Sequence, residues 1–280
     1  MICQWDAYLS ILPGRIRKDV DKQGRTNLLE LRLRLGDPPK LILKEKSISL
    51  AAQVTREDIS TVINNASRFS PWSTDTIAKG FITAPGGHRI GICGQVIRQQ
   101  GKVTGIREPT TLCLRVARDF PGLADALRDV TGSVLIIGPP GSGKTTLLRD
   151  LIRQKSNLEQ GSVAVVDERG ELFPLFQNAW SYPMGNNTDV LTGIGKQEGI
   201  ENLLRTMGPR WIAVDEISSD EDCKAIQRGG WCGVTFLATA HAENRRELLT
   251  RPIYAPILAN KLFDKIICLD RKQNWHVEVL

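Results

Sequence analysis

Gly138-Pro139-Pro140-Gly141-Ser142-Gly143-Lys144-Thr145 is the stretch that decides the fold of the second half of this chain. It has the GxxxxGK[ST] spacing of a Walker A phosphate loop, and it lies between an apolar run at residues 133–137 and a helical pattern at residues 146–152. In such a loop the backbone N–H groups and the helix N-terminus converge on phosphate oxygens. We therefore predict that all eight residues bind ATP, with an exposed Lys144 that neutralises the β- and γ-phosphates.

A magnesium ligand is expected on a neighbouring strand. Residues 211–214 are apolar and are followed by Asp215 and Glu216, the form of a Walker B strand. We predict that Thr145 and Asp215 bind Mg²⁺ and that Glu216 is the general base toward the attacking water. The alternative is that the two carboxylates cap a helix start.

A second apolar run with acidic residues at its end lies between the two motifs. Residues 163–166 precede Asp167 and Glu168, and an extra strand at this place is a feature of RecA-like ATPases. Glu168 is therefore a rival candidate for the base, unless these acids cap the segment that follows. A third run ends in Thr239-Ala240-His241, and we predict that His241 contacts the γ-phosphate and reports its loss, against the alternative of a structural histidine.

The pattern after residue 129 indicates an α/β fold. Apolar runs separated by helical segments are typical of a parallel sheet covered on both faces. The segment at residues 176–195 has no periodicity and is expected to be a long connection that is functional or mobile. We predict a RecA-like P-loop domain with a mostly parallel sheet over residues 129–280, with strands at residues 134–137, 163–166, 211–214, 234–238 and 265–269.

The first half predicts a smaller α+β domain with a linker, over residues 1–128. Residues 28–35 alternate as in a half-buried strand, with Leu29, Leu31, Leu33 and Leu35 on the buried face. Thr55 is the predicted N-cap of a helix. Further elements are expected at residues 40–43 (strand), 73–79 and 123–127 (helices), and around a turn at residues 100–102 (hairpin).

Composition restricts the class of protein. The chain has 280 residues, 41% hydrophobic and 24% charged, which is typical of globular domains. No apolar run is long enough to cross a membrane, and residues 1–13 lack the basic start of a secretory signal, so we expect a soluble, cytoplasmic protein. Six scattered cysteines without a CxxC pair indicate free, mostly buried thiols and neither a disulfide framework nor a zinc ribbon.

The basic charge is concentrated in the first half. Residues 1–130 hold 20 Lys and Arg against 13 Asp and Glu, whereas residues 131–280 hold 17 against 18. Such an excess can favour nucleic acid, an anionic membrane or an acidic partner. Single-strand binders also need stacking aromatic side chains. The few aromatic residues before the boundary form no cluster, so nucleic acid is not expected as a partner.

The order of these motifs is similar to that of the type II and type IV secretion ATPases. It comprises Walker A, Asp167-Glu168-Arg169-Gly170-Glu171, Arg205-Thr206-Met207-Gly208-Pro209-Arg210 before Walker B, and Thr239-Ala240-His241-Ala242. Within that superfamily the chain resembles the stage III sporulation protein AA family, also at residues 86–94, 105–116 and 188–191. The secretion ATPases usually have Gly-Glu where this chain has Asp215-Glu216, so the choice between Glu216 and Glu168 stays open.

The resemblance implies an AAA-type ATPase with ATP and Mg²⁺ as cofactors. It implies a homo-hexamer that docks peripherally on membrane-embedded complex proteins and energises a channel from the mother cell into the forespore during endospore formation. It also implies that Arg169, Arg205 and Arg210 are presented to nucleotide, against the alternative of surface ion pairs. Two other hypotheses are a nucleic-acid-stimulated RecA-like ATPase and a switch in which ATP only changes partner affinity.

Overall fold

The computed structural model describes residues 1–67, 80–176 and 179–280, which form two compact units. The first contains residues 1–119 and 174–181, and the second contains residues 120–173 and 182–280. The predicted boundary at residues 128/129 lies too late in the chain. Residues 120–130 belong to the second unit because its first helix after the phosphate loop holds them: the Ala124 N–H donates to Asp150 Oδ2, and Lys155 Nζ donates to the Arg128 carbonyl.

The described helices and strands are numbered here in chain order. The helices are α1 Trp5–Ser10, α2 Gly14–Asp21, α3 Gly24–Asn27, α4 Arg56–Ser67, α5 Lys144–Ser156, α6 Lys196–Thr206, α7 Asp220–Trp231, α8 Arg245–Thr250 and α9 Ala255–Ala259. The strands are β1 Leu28–Arg34, β2 Lys40–Leu43, β3 Ser47–Ser49, β4 Phe81–Thr83, β5 Arg89–Gln99, β6 Lys102–Arg115, β7 Val134–Gly138, β8 Val163–Asp167, β9 Leu175–Phe176, β10 Ala179–Trp180, β11 Thr188–Thr192, β12 Trp211–Ile217, β13 Thr235–His241, β14 Lys265–Leu269 and β15 Trp275–Val279.

The first unit contains an antiparallel sheet in the order β3-β2-β1-β6-β5-β4 and the short hairpin β9-β10. The predicted cap of α4 is confirmed, because the Asp58 N–H donates to Thr55 Oγ1 and the Thr55 N–H donates to Asp58 Oδ2. The helix predicted at residues 73–79 lies outside the described residues. The helix predicted at residues 123–127 is wrong, since only a 3₁₀ turn forms there, at Asp125–Leu127.

The predicted buried face of β1 is only half correct. Leu31 and Leu33 are buried, but Leu29 and Leu35 are 39% and 36% exposed. The pairing of β1 with β2 shifts in register between Leu28 and Glu30, and this bulge reverses the alternation, so that Leu28 is buried in place of Leu29. Leu35 lies beyond the end of β1.

The second unit contains a sheet in the order β11-β8-β12-β13-β7-β14-β15. Every neighbouring pair is parallel except β14 and β15, which confirms the predicted α/β class and all five predicted strands. Two strands were not predicted: β11, which lies inside the connection expected at residues 176–195, and β15. Both contain exposed polar residues and therefore form no continuous apolar run.

The topology brings the ends of the central strands together. Strands β7, β8, β12 and β13 are parallel, so their carboxyl ends meet at one edge of the sheet, where α/β proteins bind ligands. Within the described ranges, no helix has both the length and the apolar composition needed to cross a membrane.

Candidate nucleotide-binding site

The phosphate loop connects β7 to α5. Gly138 is the last residue of β7, and a Cβ there would lie 2.6 Å from Ser142 Oγ and 2.7 Å from the Leu269 carbonyl oxygen. Gly143, the N-cap of α5, has a φ of 97°, a left-handed conformation that favours glycine. The spacing of the glycines is therefore required by close packing at one end of the loop and by backbone conformation at the other.

Two features of this loop fit an anionic ligand. In the part of the chain that the structure describes, no side chain caps the N-terminus of α5, and the buried Ser142 Oγ has no hydrogen-bond partner. A helix N-terminus with unpaired N–H groups attracts negative charge. A phosphate group would accept hydrogen bonds from the N–H groups at the start of α5 and from the Ser142 hydroxyl. The residues present therefore fit a nucleotide phosphate.

Lys144 is buried, contrary to the exposed side chain expected from the sequence. Its ammonium group donates to the carbonyl oxygens of Gly138 and Pro139 at 2.9 and 3.0 Å, and lies 3.1 Å from His241 Nδ1. Burial lowers the pKa of Lys144, while Asp215 and Glu216 oppose this shift. The ammonium group is therefore held inside the loop, next to the position that a phosphate would take.

Asp215 lies between two threonine hydroxyls. Thr145 Oγ1 donates to Asp215 Oδ2 at 2.8 Å, and Thr239 Oγ1 donates to Oδ1 at 2.5 Å. The Thr239 hydroxyl also accepts the Glu216 N–H at 2.7 Å. A hydroxyl and a carboxylate in contact are oxygen ligands of the kind that Mg²⁺ prefers, so the pair fits this ion. The sequence analysis left Thr239 out of the site, although its position at a central strand end was a signal.

Glu216 lies at the centre of a network of contacts between charged and polar side chains. Its φ of 56° is unusual for a residue with a side chain and is the kind of strain found at functional sites. Its carboxylate accepts from Arg169 at 2.8 Å and lies 3.4 Å from His241 Nε2. Because His241 Nδ1 accepts from Lys144, Nε2 carries the ring proton and faces Glu216. His241 thus connects the phosphate-loop lysine to the carboxylate.

Glu168, the rival candidate for the base, has a different partner. Lys196 Nζ lies 2.8 Å from Glu168 Oε2 and 3.7 Å from Asp222 Oδ2. Glu168, Glu216 and Asp215 line one small cavity of about 20 Å³. The cavity has room for about one water molecule between the two candidate bases. The sequence analysis also left Lys196 out, since nothing in its local pattern marks it.

Asp167 has a structural role. It matches the alternative prediction for Asp167 and Glu168, that these acids cap the segment that follows them. It is buried at the end of β8, and it accepts the N–H groups of Glu171, Leu172 and Phe173 at 2.8 to 3.0 Å. Burial raises the pKa of Asp167 to about 6, although the N–H groups of Phe173 and Leu172 oppose the shift. It therefore caps the segment that presents Glu168 and Arg169.

The chain matches one known protein family over nearly its whole length. The model of the family "Sporulation stage III, protein AA" matches residues 4–277. The chain belongs to this family. Stage III sporulation protein AA of Bacillus subtilis (strain 168) is 32% identical over 274 residues, which cover 93% of this chain and 89% of that protein.

Two solved structures that resemble this family member in fold are an ATPase and a pilus retraction motor. The Legionella pneumophila ATPase DotB has a TM-score of 0.60 at 16% identity, over 92% of this chain and 76% of that one. The pilus retraction motor PilT, solved with bound ADP, has a TM-score of 0.57 at 15% identity, over 90% and 76% of the two chains. The predicted fold, a RecA-like P-loop domain with an N-terminal domain before it, is thereby confirmed.

The three arginines singled out in this family member lie in different places. Arg169 contacts Glu216 within the same chain. Arg205 is exposed, and its Nε donates to the Glu201 carbonyl oxygen one turn earlier in α6. Arg210 is exposed over the ring of Trp211 and precedes the amino end of β12, whereas the phosphate loop lies at the carboxyl ends of the strands. The structure thus brings only Arg169 to the site of its own chain.

Proposed function

We propose that this chain is an ATP-hydrolysing motor of the secretion type. The observation that carries the proposal is the position of Asp215, which accepts hydrogen bonds from the Thr145 and Thr239 hydroxyls beside the phosphate loop. Residues 138–145 bind the phosphates, and Thr145 and Asp215 hold Mg²⁺. When bound, the ion supplies positive charge that offsets the charge developing on the phosphates. Lys144 exchanges its two carbonyl contacts for phosphate oxygens.

Glu216 is the general base of this proposal. It lies beside the magnesium ligand Asp215 and, through His241, next to Lys144, whereas Glu168 is tied to Lys196. A water in the cavity between the two glutamates reaches Glu216, which takes its proton as the water attacks. Before this proton transfer, Arg169 orients the Glu216 carboxylate.

His241 reports the state of the nucleotide. Lys144 donates to His241 Nδ1 in the structure, and a γ-phosphate competes for the same ammonium group. Lys144 is linked through His241 to Glu216. Binding of ATP therefore breaks the contact between Lys144 and His241, and release of phosphate restores it. The strand β13, which ends at His241, is the element that this change acts on.

The proposal extends to assembly and cellular role. Arg205 and Arg210 are exposed and away from their own site, which suits residues that act on a neighbouring subunit of a homo-hexamer. Membership of a sporulation family supports a cytoplasmic motor that docks peripherally on a membrane complex. There it energises a channel from the mother cell into the forespore. The pilus retraction motor among the similar structures supports force generation by this fold.

Turnover of ATP by paired variants tests the proposal. We expect Mg²⁺-dependent hydrolysis by the unaltered chain. Glu216→Gln keeps the shape and loses the base, so it is expected to bind ATP but to hydrolyse it about 10²- to 10⁴-fold more slowly. Glu168→Gln is the matched control, since it removes the same charge from the other side of the cavity, and it is expected to keep most of the activity.

Three other outcomes would contradict this assignment. If Glu168→Gln hydrolyses ATP more slowly than Glu216→Gln, the roles of the two glutamates are reversed. ATP binding without turnover in the unaltered chain would favour the nucleotide switch. Turnover that requires single-stranded DNA would favour the nucleic-acid-stimulated ATPase.

A further inference from the structure

Three side chains with metal-ligating atoms lie together on the last two strands, β14 and β15. Cys268 in β14 is paired directly with His276 in β15, and Glu278 is two residues further along β15. Since side chains alternate along a strand, the register places all three on one face. Their ligating atoms lie within 4.8 Å of one another, and no other such group occurs in the part of the chain that the structure describes.

The distances are close to those of a metal site. His276 Nε2 lies 3.0 Å from Glu278 Oε1, and Cys268 Sγ lies 3.6 Å from the same oxygen. In a tetrahedral zinc site, metal–ligand bonds of about 2.0 to 2.3 Å place neighbouring ligand atoms about 3.3 to 3.8 Å apart. Small side-chain rotations would therefore bring the three atoms to these separations, without a change in the strand pairing.

The carboxylate of Glu278 is oriented by an outer partner. Arg245 Nη1 lies 3.6 Å from Glu278 Oε2, on the oxygen that does not face Cys268 and His276, and it also donates to the Val279 carbonyl oxygen. Oε1, which accepts from Cys268 Sγ and contacts His276 Nε2, is the carboxylate oxygen that faces the proposed cation position. Metal-ligating carboxylates commonly have such a partner, which fixes the direction of the ligand.

The chemistry of the three groups selects the class of cation. A thiolate, an imidazole and a carboxylate suit Zn²⁺ and similar thiophilic ions, whereas Mg²⁺ takes oxygen ligands. Cys268 is buried, but the side chains of His276 and Glu278 are 66% and 31% exposed, so an ion can enter from solvent and keep water as its fourth ligand.

We propose that Cys268, His276 and Glu278 form a binding site for a divalent cation of the Zn²⁺ class. On binding, the S–H bond of Cys268 breaks, its proton goes to solvent, and the sulfur lone pair forms the bond to the metal. The hydrogen bond between His276 Nε2 and Glu278 Oε1 also breaks, and the neutral imidazole keeps its one proton on Nδ1, so that Nε2 presents a lone pair to the ion. No oxidation or reduction is involved. The site shares no residue with the proposed magnesium site at Thr145 and Asp215.

Cobalt titration of the full chain tests this site. Co²⁺ bound to a thiolate absorbs in the near ultraviolet through sulfur-to-metal charge transfer, whereas Co²⁺ on oxygen ligands such as Thr145 and Asp215 lacks this band. We expect the band to grow to saturation with one Co²⁺ per chain and to disappear when Zn²⁺ is added. Cys268→Ser is expected to abolish it, and Glu278→Gln and His276→Ala are expected to weaken Co²⁺ binding at least about tenfold.

Cys232→Ser is the matched control, because Cys232 is an exposed cysteine outside this cluster, and the band is expected to remain. Circular dichroism of each variant without metal checks its fold, and the exposed His276 can be replaced with little risk to the core. Absence of the band in the folded, unaltered chain would overturn the proposal. A band that survives Cys268→Ser, or that His276→Ala and Glu278→Gln leave unweakened, would do the same.

Discussion

At the scale of single residues, Lys144 has two roles that the motif alone does not separate. Its ammonium group is buried and donates to the carbonyl oxygens of Gly138 and Pro139. The same group is the proposed ligand of the β- and γ-phosphates. Lys144→Ala should therefore abolish nucleotide binding and also reduce stability, because two carbonyl groups lose their donor at about 1 kcal/mol or more each.

The other end of the same helix supplies the control for this variant. Lys155 is equally buried in α5, and its Nζ donates to the carbonyl oxygens of Arg128 and Val130, far along the helix from the phosphate loop. Lys155→Ala should lower the thermal midpoint while leaving the affinity for a fluorescent ATP analogue unchanged. Unchanged affinity in Lys144→Ala would reject the phosphate-loop assignment.

At the scale of elements, Asp167 joins the end of β8 to the segment that presents Glu168 and Arg169. Its folded-state pKa is about 6, above its ordinary value of 3.8, because burial disfavours the charged form. The stability that this group contributes is therefore fully present below about pH 4 and is lost as the pH rises through about 6. The difference amounts to about 3 kcal/mol.

The free energy of unfolding, measured with urea between pH 4 and pH 7.5, checks this expectation. Asp167→Asn cannot ionise, so its stability should lack the fall that the unaltered chain shows over that range. Asp270→Asn is the control, because exposed Asp270 also accepts backbone N–H groups and has a pKa that is lowered, not raised. Parallel pH profiles of the unaltered chain and Asp167→Asn would contradict the raised pKa of Asp167.

At the scale of the whole molecule, the arginines distinguish action within one chain from action between chains. Arg205 and Arg210 lie away from their own site, whereas Arg169 contacts Glu216. If Arg210 acts on a neighbouring subunit, Arg210→Ala should lose about 10³- to 10⁵-fold in turnover. Mixing it with inactive Lys144→Ala chains should restore part of the activity, because an intact ATP site then meets an intact arginine.

The same mixture with Arg205→Ala identifies which of the two exposed arginines is the donor. Arg169→Ala is the control, since its defect lies in its own site and the partner chain cannot repair it. Specific activity of the unaltered chain should also rise with protein concentration as rings form. Activity that is independent of concentration, with no rescue in either mixture, would reject the ring motor.

The sequence by itself determined the parts that depend on local pattern. The phosphate loop and the five apolar strands could be predicted because the geometry of a phosphate cradle and of a buried parallel sheet requires those residues at those spacings. The cap of α4 has the same local origin. Three features could not be predicted from local pattern: the exposed edge strand β11, the bulge in β1 and the burial of Lys144. Each depends on which neighbours the strand or side chain meets in the fold.

The tertiary structure alone decided the contacts between distant segments. Thr239 lies against Asp215, Lys196 against Glu168, and Arg169 against Glu216, because parallel strands far apart in sequence end at one edge of the sheet. Cys268 faces His276 because β14 and β15 pair in one register, which the scattered cysteines did not reveal. Local spacing specifies which groups a segment carries, whereas strand order and register decide which of them come within bonding distance.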